Sequence, residues 1–72
     1  MARTPKEIEN LYNKIAEKKK KEGIKYYKKD FLADLGLSKL SVFSDWTSEP
    51  QRSKPTLQSE ILMDYLEKDQ LT

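Results

Sequence analysis

The chain has 72 residues, of which 36% are hydrophobic and 36% charged, and its net charge is +2. A chain this short forms one domain without room for a deep catalytic cavity, which favours a binding module over an enzyme. The sequence contains no Cys and no His, so it lacks disulfides and the commonest acid–base and zinc-binding side chains. We therefore expect no catalytic site, no metal and no cofactor.

Charge is distributed unevenly along the chain. Residues 1–29 contain ten Lys and Arg against four Glu, whereas residues 30–72 contain four basic and eight acidic residues. No apolar run approaches the roughly 18 residues that span a bilayer, and the N-terminus lacks a signal-peptide core. We expect a cytoplasmic protein with no membrane segment, one basic end and one acidic end.

The first predicted element is a helix that follows a flexible tail at residues 1–3. Thr4 is its predicted N-cap, Pro5 takes the first helical position, and Glu7 completes a capping box. Gly23 is the expected left-handed residue that ends it. Five apolar residues repeat at helical spacing and should line one buried face: Ile8, Leu11, Tyr12, Ile15 and Ala16.

Two short helices separated by a glycine are predicted next. The first runs from about Lys28 to Leu35 and ends at Gly36. The second covers residues 38–47 and has Ser38 as its N-cap. Its apolar residues share one face that should be buried: Val42, Phe43 and Trp46.

The last predicted helix begins at the N-cap Thr56, after a turn-rich segment, and extends to about Lys68. Ile24, in the connection after the first helix, is expected to anchor in the core. The predicted buried face of the last helix consists of Leu57, Ile61, Leu62, Tyr65 and Leu66. The sequence thus predicts an all-α fold, a compact bundle of four or at most five short helices, with residues 4–70 as a single helix-turn-helix domain.

The turn between the two central helices has the sequence LGLS, at residues 35–38. Together with the preceding FLAD, the following KLSVFSDW and the later SKPTLQSEILMDYL, it resembles the phage repressor and Cro-like helix-turn-helix family. The resemblance implies a small sequence-specific DNA-binding transcriptional regulator of phage or mobile-element type. Its helix 38–47 would enter the major groove of double-stranded DNA.

Two sets of residues are candidates for DNA contact, and an ordinary solvated surface is the alternative explanation of both. The candidates for base contact are Lys39, Ser41, Ser44 and Thr47. The candidates for phosphate contact are Lys25, Lys28, Lys29, Arg52 and Lys54.

A second interpretation is a small helical protein-interaction module, a phage-type inhibitor or adaptor of a host protein that does not bind DNA. The modest net charge of +2 supports it, because dedicated DNA-binding domains are often more basic.

A DNA-binding domain this small usually gains specificity as a dimer on a two-fold site. The C-terminal helix is the candidate homodimer surface, through Leu62, Leu66 and Leu71 beside Asp64, Glu67 and Asp69.

Overall fold

The computed structural model describes residues 3–71, and this part of the chain forms four α-helices and no strand. In chain order they are α1 (Pro5–Lys21), α2 (Lys28–Asp34), α3 (Leu40–Thr47) and α4 (Leu57–Leu71). The predicted all-α bundle is confirmed, with four helices. None of these helices is both long enough and apolar enough to cross a membrane.

The two ends of α1 are formed by the predicted residues. The Thr4 hydroxyl accepts a hydrogen bond from the Glu7 N–H at 3.2 Å, and the Glu7 carboxylate accepts one from the Thr4 N–H at 3.1 Å. At the other end, Gly23 has a φ of +79°, and the Ile24 N–H donates to the Lys19 carbonyl at 2.8 Å. This return hydrogen bond is the Schellman termination that a left-handed glycine permits.

The segments on either side of α1 differ from the sequence prediction. Residues 1 and 2 of the predicted tail lie outside the described residues, but Arg3 is held on α4, where its N–H donates to the Glu60 carboxylate at 3.0 Å. Ile24 is 49% exposed, so its predicted place in the core is wrong. Tyr26 takes the inward position of this connection instead, and its ring stacks on Tyr12 at a centroid distance of 6.1 Å.

α2 ends in the same way as α1. Gly36 has a φ of +75°, and the Leu37 N–H donates to the Leu32 carbonyl at 2.8 Å. A Cβ added at Gly36 would meet no other atom within 4 Å. Any loss of stability on substitution would therefore come from the backbone conformation alone.

Substituting Gly36 is expected to lower the free energy of unfolding in proportion to the strain at positive φ. Gly36→Ala should lower it by about 1–2 kcal/mol, because a Cβ is unfavourable in the left-handed region. Gly36→Asn should lower it less, since Asn tolerates that region better than Ala. Urea denaturation of the three proteins measures the difference. An alanine variant as stable as the wild type would show that the left-handed turn is misassigned.

The N-cap of α3 lies one residue later than predicted. The N-cap is Lys39 rather than Ser38, and the Lys39 side chain makes no capping hydrogen bond. The reason lies in the preceding turn, because the hydrogen bond from the Leu37 N–H back to the Leu32 carbonyl keeps residues up to Leu37 in the termination of α2. The chain is still extended at Lys39, with φ −102° and ψ 120°, so that the helix starts only at Leu40.

The hydrophobic core is built around α1, against which both α3 and α4 pack. Phe31 and Phe43 meet edge to face with centroids 5.8 Å apart, and each ring makes a similar edge contact with Tyr12. The fully enclosed set combines residues of all four helices and includes the predicted Phe43 and Trp46. Its members are Ile8, Leu11, Ile15, Phe31, Leu32, Leu35, Phe43, Trp46 and Met63.

α4 has the predicted N-cap but a different buried face. The Thr56 hydroxyl accepts a hydrogen bond from the Ser59 N–H at 3.2 Å. Ser59 and Met63 are the buried residues of the helix, and Leu62 and Leu66 are partly buried. Three residues that the spacing assigned to the core are exposed: Leu57 (73%), Ile61 (45%) and Tyr65 (66%). The prediction is wrong for these three because apolar residues occur on more than one side of α4.

Candidate functional site

One face of α3 is available to a ligand. Phe43 and Trp46 are only 2% and 3% exposed, so the opposite side of the helix faces solvent. Two predicted base-contacting residues, Ser41 and Ser44, lie there, and a third, Lys39, is the N-cap residue that precedes the first turn. Lys39, Ser41 and Ser44 are exposed, and no hydrogen bond within residues 3–71 engages their side chains.

Thr47, the fourth of these residues, has a different environment. It is half-buried at the C-terminal end of α3, and its hydroxyl donates to the Phe43 carbonyl at 2.9 Å. A hydroxyl whose proton is used inside the helix can still accept a hydrogen bond but cannot donate one to a base. Thr47 is therefore less suited to base contact than the three exposed residues.

Two lysines of α2 lie beside the start of α3. The Lys28 ammonium is 5.3 Å from the centre of the Phe43 ring, and the Lys29 ammonium is 5.8 Å from the centre of the Tyr27 ring. An open groove of about 500 Å³, hereafter the Leu40 groove, is lined by Tyr12, Tyr27, Lys28, Lys29 and Leu40. Folding thus brings two predicted phosphate-contacting residues to the N-terminal end of α3.

Arg52 lies at the opposite end of α3. Its N–H donates to the Asp45 carbonyl at 3.2 Å and to the Ser48 hydroxyl at 3.0 Å. These bonds hold the loop after α3 against the end of the helix, while the Arg52 side chain is exposed. Basic residues consequently flank α3 at both ends.

The other two predicted phosphate-contacting residues are placed differently. Lys25 lines a separate groove of about 690 Å³, whose other residues come from α1 and the connection that follows it. Lys54 is exposed in the loop before α4. The structure therefore gathers Lys28, Lys29 and Arg52 around α3, but not Lys25 and Lys54.

The N-terminus of α3 adds a positive potential to this surface. The first N–H groups of any α-helix have no partner within the helix, and no side chain caps α3. The helix dipole places partial positive charge at the same end. An anion beside Leu40 would be attracted by these N–H groups as well as by the lysine ammonium groups.

Leu40 is a residue of this surface that sequence reasoning missed. It is 57% exposed although it is a large aliphatic side chain, and it is the first residue of α3. Its apolar character suggested no ligand role. The signal that could have identified it is its position on the helix, because Leu40 lies one helical turn before the exposed Ser44.

Tyr26 fixes the connection between α1 and α2, which leads directly to Lys28 and Lys29. Its hydroxyl donates to the Asp34 carboxylate at 2.8 Å. Burial, and then the hydrogen bond to Asp34, raise the pKa of the Tyr26 phenol well above its ordinary value. The phenol stays protonated at neutral pH, so its role here is that of a structural hydrogen-bond donor.

α4 carries four acidic residues against one lysine, and it is held at two places, by Arg3 and by α1. The Arg3 guanidinium lies 3.0 Å from the Asp64 carboxylate and 3.5 Å from that of Glu67. Near the other end, the Lys18 ammonium donates to the Gln70 carbonyl. The acidic surface of α4 is therefore on a different element from the basic surface around α3.

An exposed apolar stripe runs along α4. Leu57, Ile61 and Tyr65 follow one another at intervals of four residues, which places them on one side of the helix. The leucines named as a candidate dimer surface are instead partly buried and packed against the core: Leu62, Leu66 and Leu71. Any partner of α4 would therefore contact Leu57, Ile61 and Tyr65, hereafter the α4 stripe.

No protein-family model, curated protein or solved structure matches the chain. Residues 3–71 also contain no group of three or more acidic side chains arranged to hold a metal ion. The assignment of function therefore depends on two surfaces, the one around α3 and the α4 stripe.

Proposed function

We propose that the protein is a small sequence-specific DNA-binding transcriptional regulator of phage or mobile-element type, which inserts α3 into the major groove. The observation that carries this proposal is the exposed polar face of α3 with basic side chains at both ends of the helix. An α-helix fits a groove about 12 Å wide, and cations beside it reach the phosphates. The order α2, glycine turn, α3 agrees with the resemblance to phage repressor and Cro-like proteins.

The proposal assigns different roles to the two sets of side chains. Lys39 can donate to the O6 and N7 atoms of guanine, whereas the hydroxyls of Ser41 and Ser44 can pair with several bases. Phosphate contacts come from the side chains that flank α3 and fix the position of the helix without reading sequence. They are those of Lys28, Lys29 and Arg52.

Removing one phosphate contact is expected to weaken binding to every duplex. Lys28→Ala and Arg52→Ala should each reduce the slope of log affinity against log salt by roughly one unit. Lys21→Ala is the matched control, because it removes the same charge from a site beside Glu67 and Leu71 of the α4 end. Fluorescence anisotropy on a selected and a scrambled duplex, at several salt concentrations, gives the slopes. Equal slopes for all three variants would contradict the phosphate assignment.

The proposal includes a homodimer that forms through the α4 stripe. One module of this size makes few base contacts, and two copies on a two-fold site double them. The stripe provides exposed apolar surface on a different helix from the polar face of α3. Selection of bound sequences from a random DNA pool should then recover a palindromic site, whereas an asymmetric single site would contradict the dimer.

The same stripe supports a second candidate function, that of an inhibitor or adaptor of a host protein. Exposed apolar residues in a row are typical of protein-interaction surfaces. Either function would be exercised in the cytoplasm. A titration with random duplex DNA at low salt separates them, because a DNA-binding protein binds with steep salt dependence. No binding at high micromolar protein would leave the adaptor function as the better proposal.

A further inference from the structure

Leu40 places an apolar side chain among groups suited to an anionic ligand. It is 57% exposed, and it shares its groove with the ammonium groups of Lys28 and Lys29. Its sequence neighbours Lys39 and Ser41 are also exposed. A ligand that meets this surface must combine negative charge with a small apolar group.

The major groove of DNA combines these two properties. Phosphates supply the charge, and the C5-methyl group of thymine is the apolar group that the groove presents. Leu40 is at the N-terminal end of α3, from which a recognition helix usually contacts base edges. It also lies one helical turn before Ser44, so both side chains are on the same side of the helix.

We infer that Leu40 is a specificity-determining residue, whose side chain packs against the C5-methyl group of a thymine in the bound site. This inference rests on the proposed DNA-binding function and adds to it a preference for thymine at one position of the bound site. The lysines of the Leu40 groove would hold the neighbouring phosphates while Leu40 contacts the methyl group. Removing one buried methyl group should weaken binding roughly three- to fivefold per contact.

The test uses deoxyuridine, which has the hydrogen-bonding groups of thymidine but lacks the methyl group. A preferred duplex is first selected with the wild-type protein. Each thymidine of that duplex is then replaced in turn, and the Kd is measured at constant salt. With the wild-type protein, we expect one position in each site to show the three- to fivefold loss.

Two variants show whether Leu40 is the residue responsible. Leu40→Ala should bind the thymidine and deoxyuridine duplexes equally, because the contact with the methyl group is already lost. Ile24→Ala is the matched control, since it truncates an equally large side chain that is 49% exposed in the connection after α1. That control should keep the wild-type sensitivity to deoxyuridine. Circular dichroism confirms that both variants are folded.

Failure of this inference can be distinguished from failure of the proposed function. A wild-type protein that binds its selected duplex but tolerates every deoxyuridine, or selects a site without thymidine, overturns the role of Leu40 alone. Sensitivity that persists in Leu40→Ala also overturns it. Absence of any DNA binding at low salt overturns both proposals and points to Leu40 as part of a protein-binding surface.

Discussion

Replacing Trp46 with alanine is expected to lower the free energy of unfolding by about 3–5 kcal/mol. The indole is 3% exposed and belongs to the core cluster, so its loss leaves a cavity that the surrounding helices cannot fill. A domain of 72 residues is stabilised by roughly 4–11 kcal/mol. The substitution should therefore remove a large part of the total and leave a substantial unfolded population.

Tyr65→Ala provides the matched control for this effect. It also removes an aromatic ring, but Tyr65 is 66% exposed, and the expected change is within about 0.5 kcal/mol. Urea denaturation followed by far-ultraviolet circular dichroism measures both variants. Similar stabilities of the two variants, or tryptophan fluorescence typical of a solvated indole in the folded wild type, would contradict the burial of Trp46.

A second large loss is expected for Met63→Ala, at about 2–5 kcal/mol. Met63 is 0% exposed, and it inserts from α4 into the core cluster. Ile61→Ala is the comparison, because Ile61 lies two residues earlier on the same helix and is 45% exposed. It should lower the free energy of unfolding by less than about 1 kcal/mol.

A comparison of the two losses in the free energy of unfolding shows which face of α4 packs against the core. Thermal and urea denaturation should rank the variants in the same order, with Met63→Ala much the less stable. A larger loss for Ile61→Ala would show that α4 presents to α1 the face that its apolar spacing predicts. The α4 stripe would then be part of the core and could not serve as a partner surface.

Both ends of α1, the C-terminal end of α2 and the start of α4 could be predicted because the signals that form them are local. Thr4 and Glu7 are three residues apart and bond to one another, and Gly23 and Gly36 both adopt left-handed turns. The buried face of α4 could not be predicted by the same means. Its leucines, isoleucine, methionine and tyrosine occur on several sides, so that packing against α1 decides which are enclosed.

The candidate site shows a similar division between local and long-range information. Helical spacing places Ser41 and Ser44 on one side of α3, and both are exposed, as is the N-cap residue Lys39. The contact between Lys28 of α2 and Phe43 of α3 could not be predicted, because it depends on how the two helices pack. The bond from Thr47 back to the Phe43 carbonyl competes with ligand contact, and no sequence spacing distinguishes it from a free hydroxyl.

The edge-to-face cluster of Tyr12, Phe31 and Phe43 affects how the protein is made. All three rings precede α4 in the chain, so a nascent polypeptide has every member of the cluster before the last helix is synthesised. Helical proteins with short-range contacts fold in microseconds to milliseconds, much faster than a ribosome adds residues. The first three helices can therefore associate before α4 docks, with the side of α1 that receives Met63 uncovered until then.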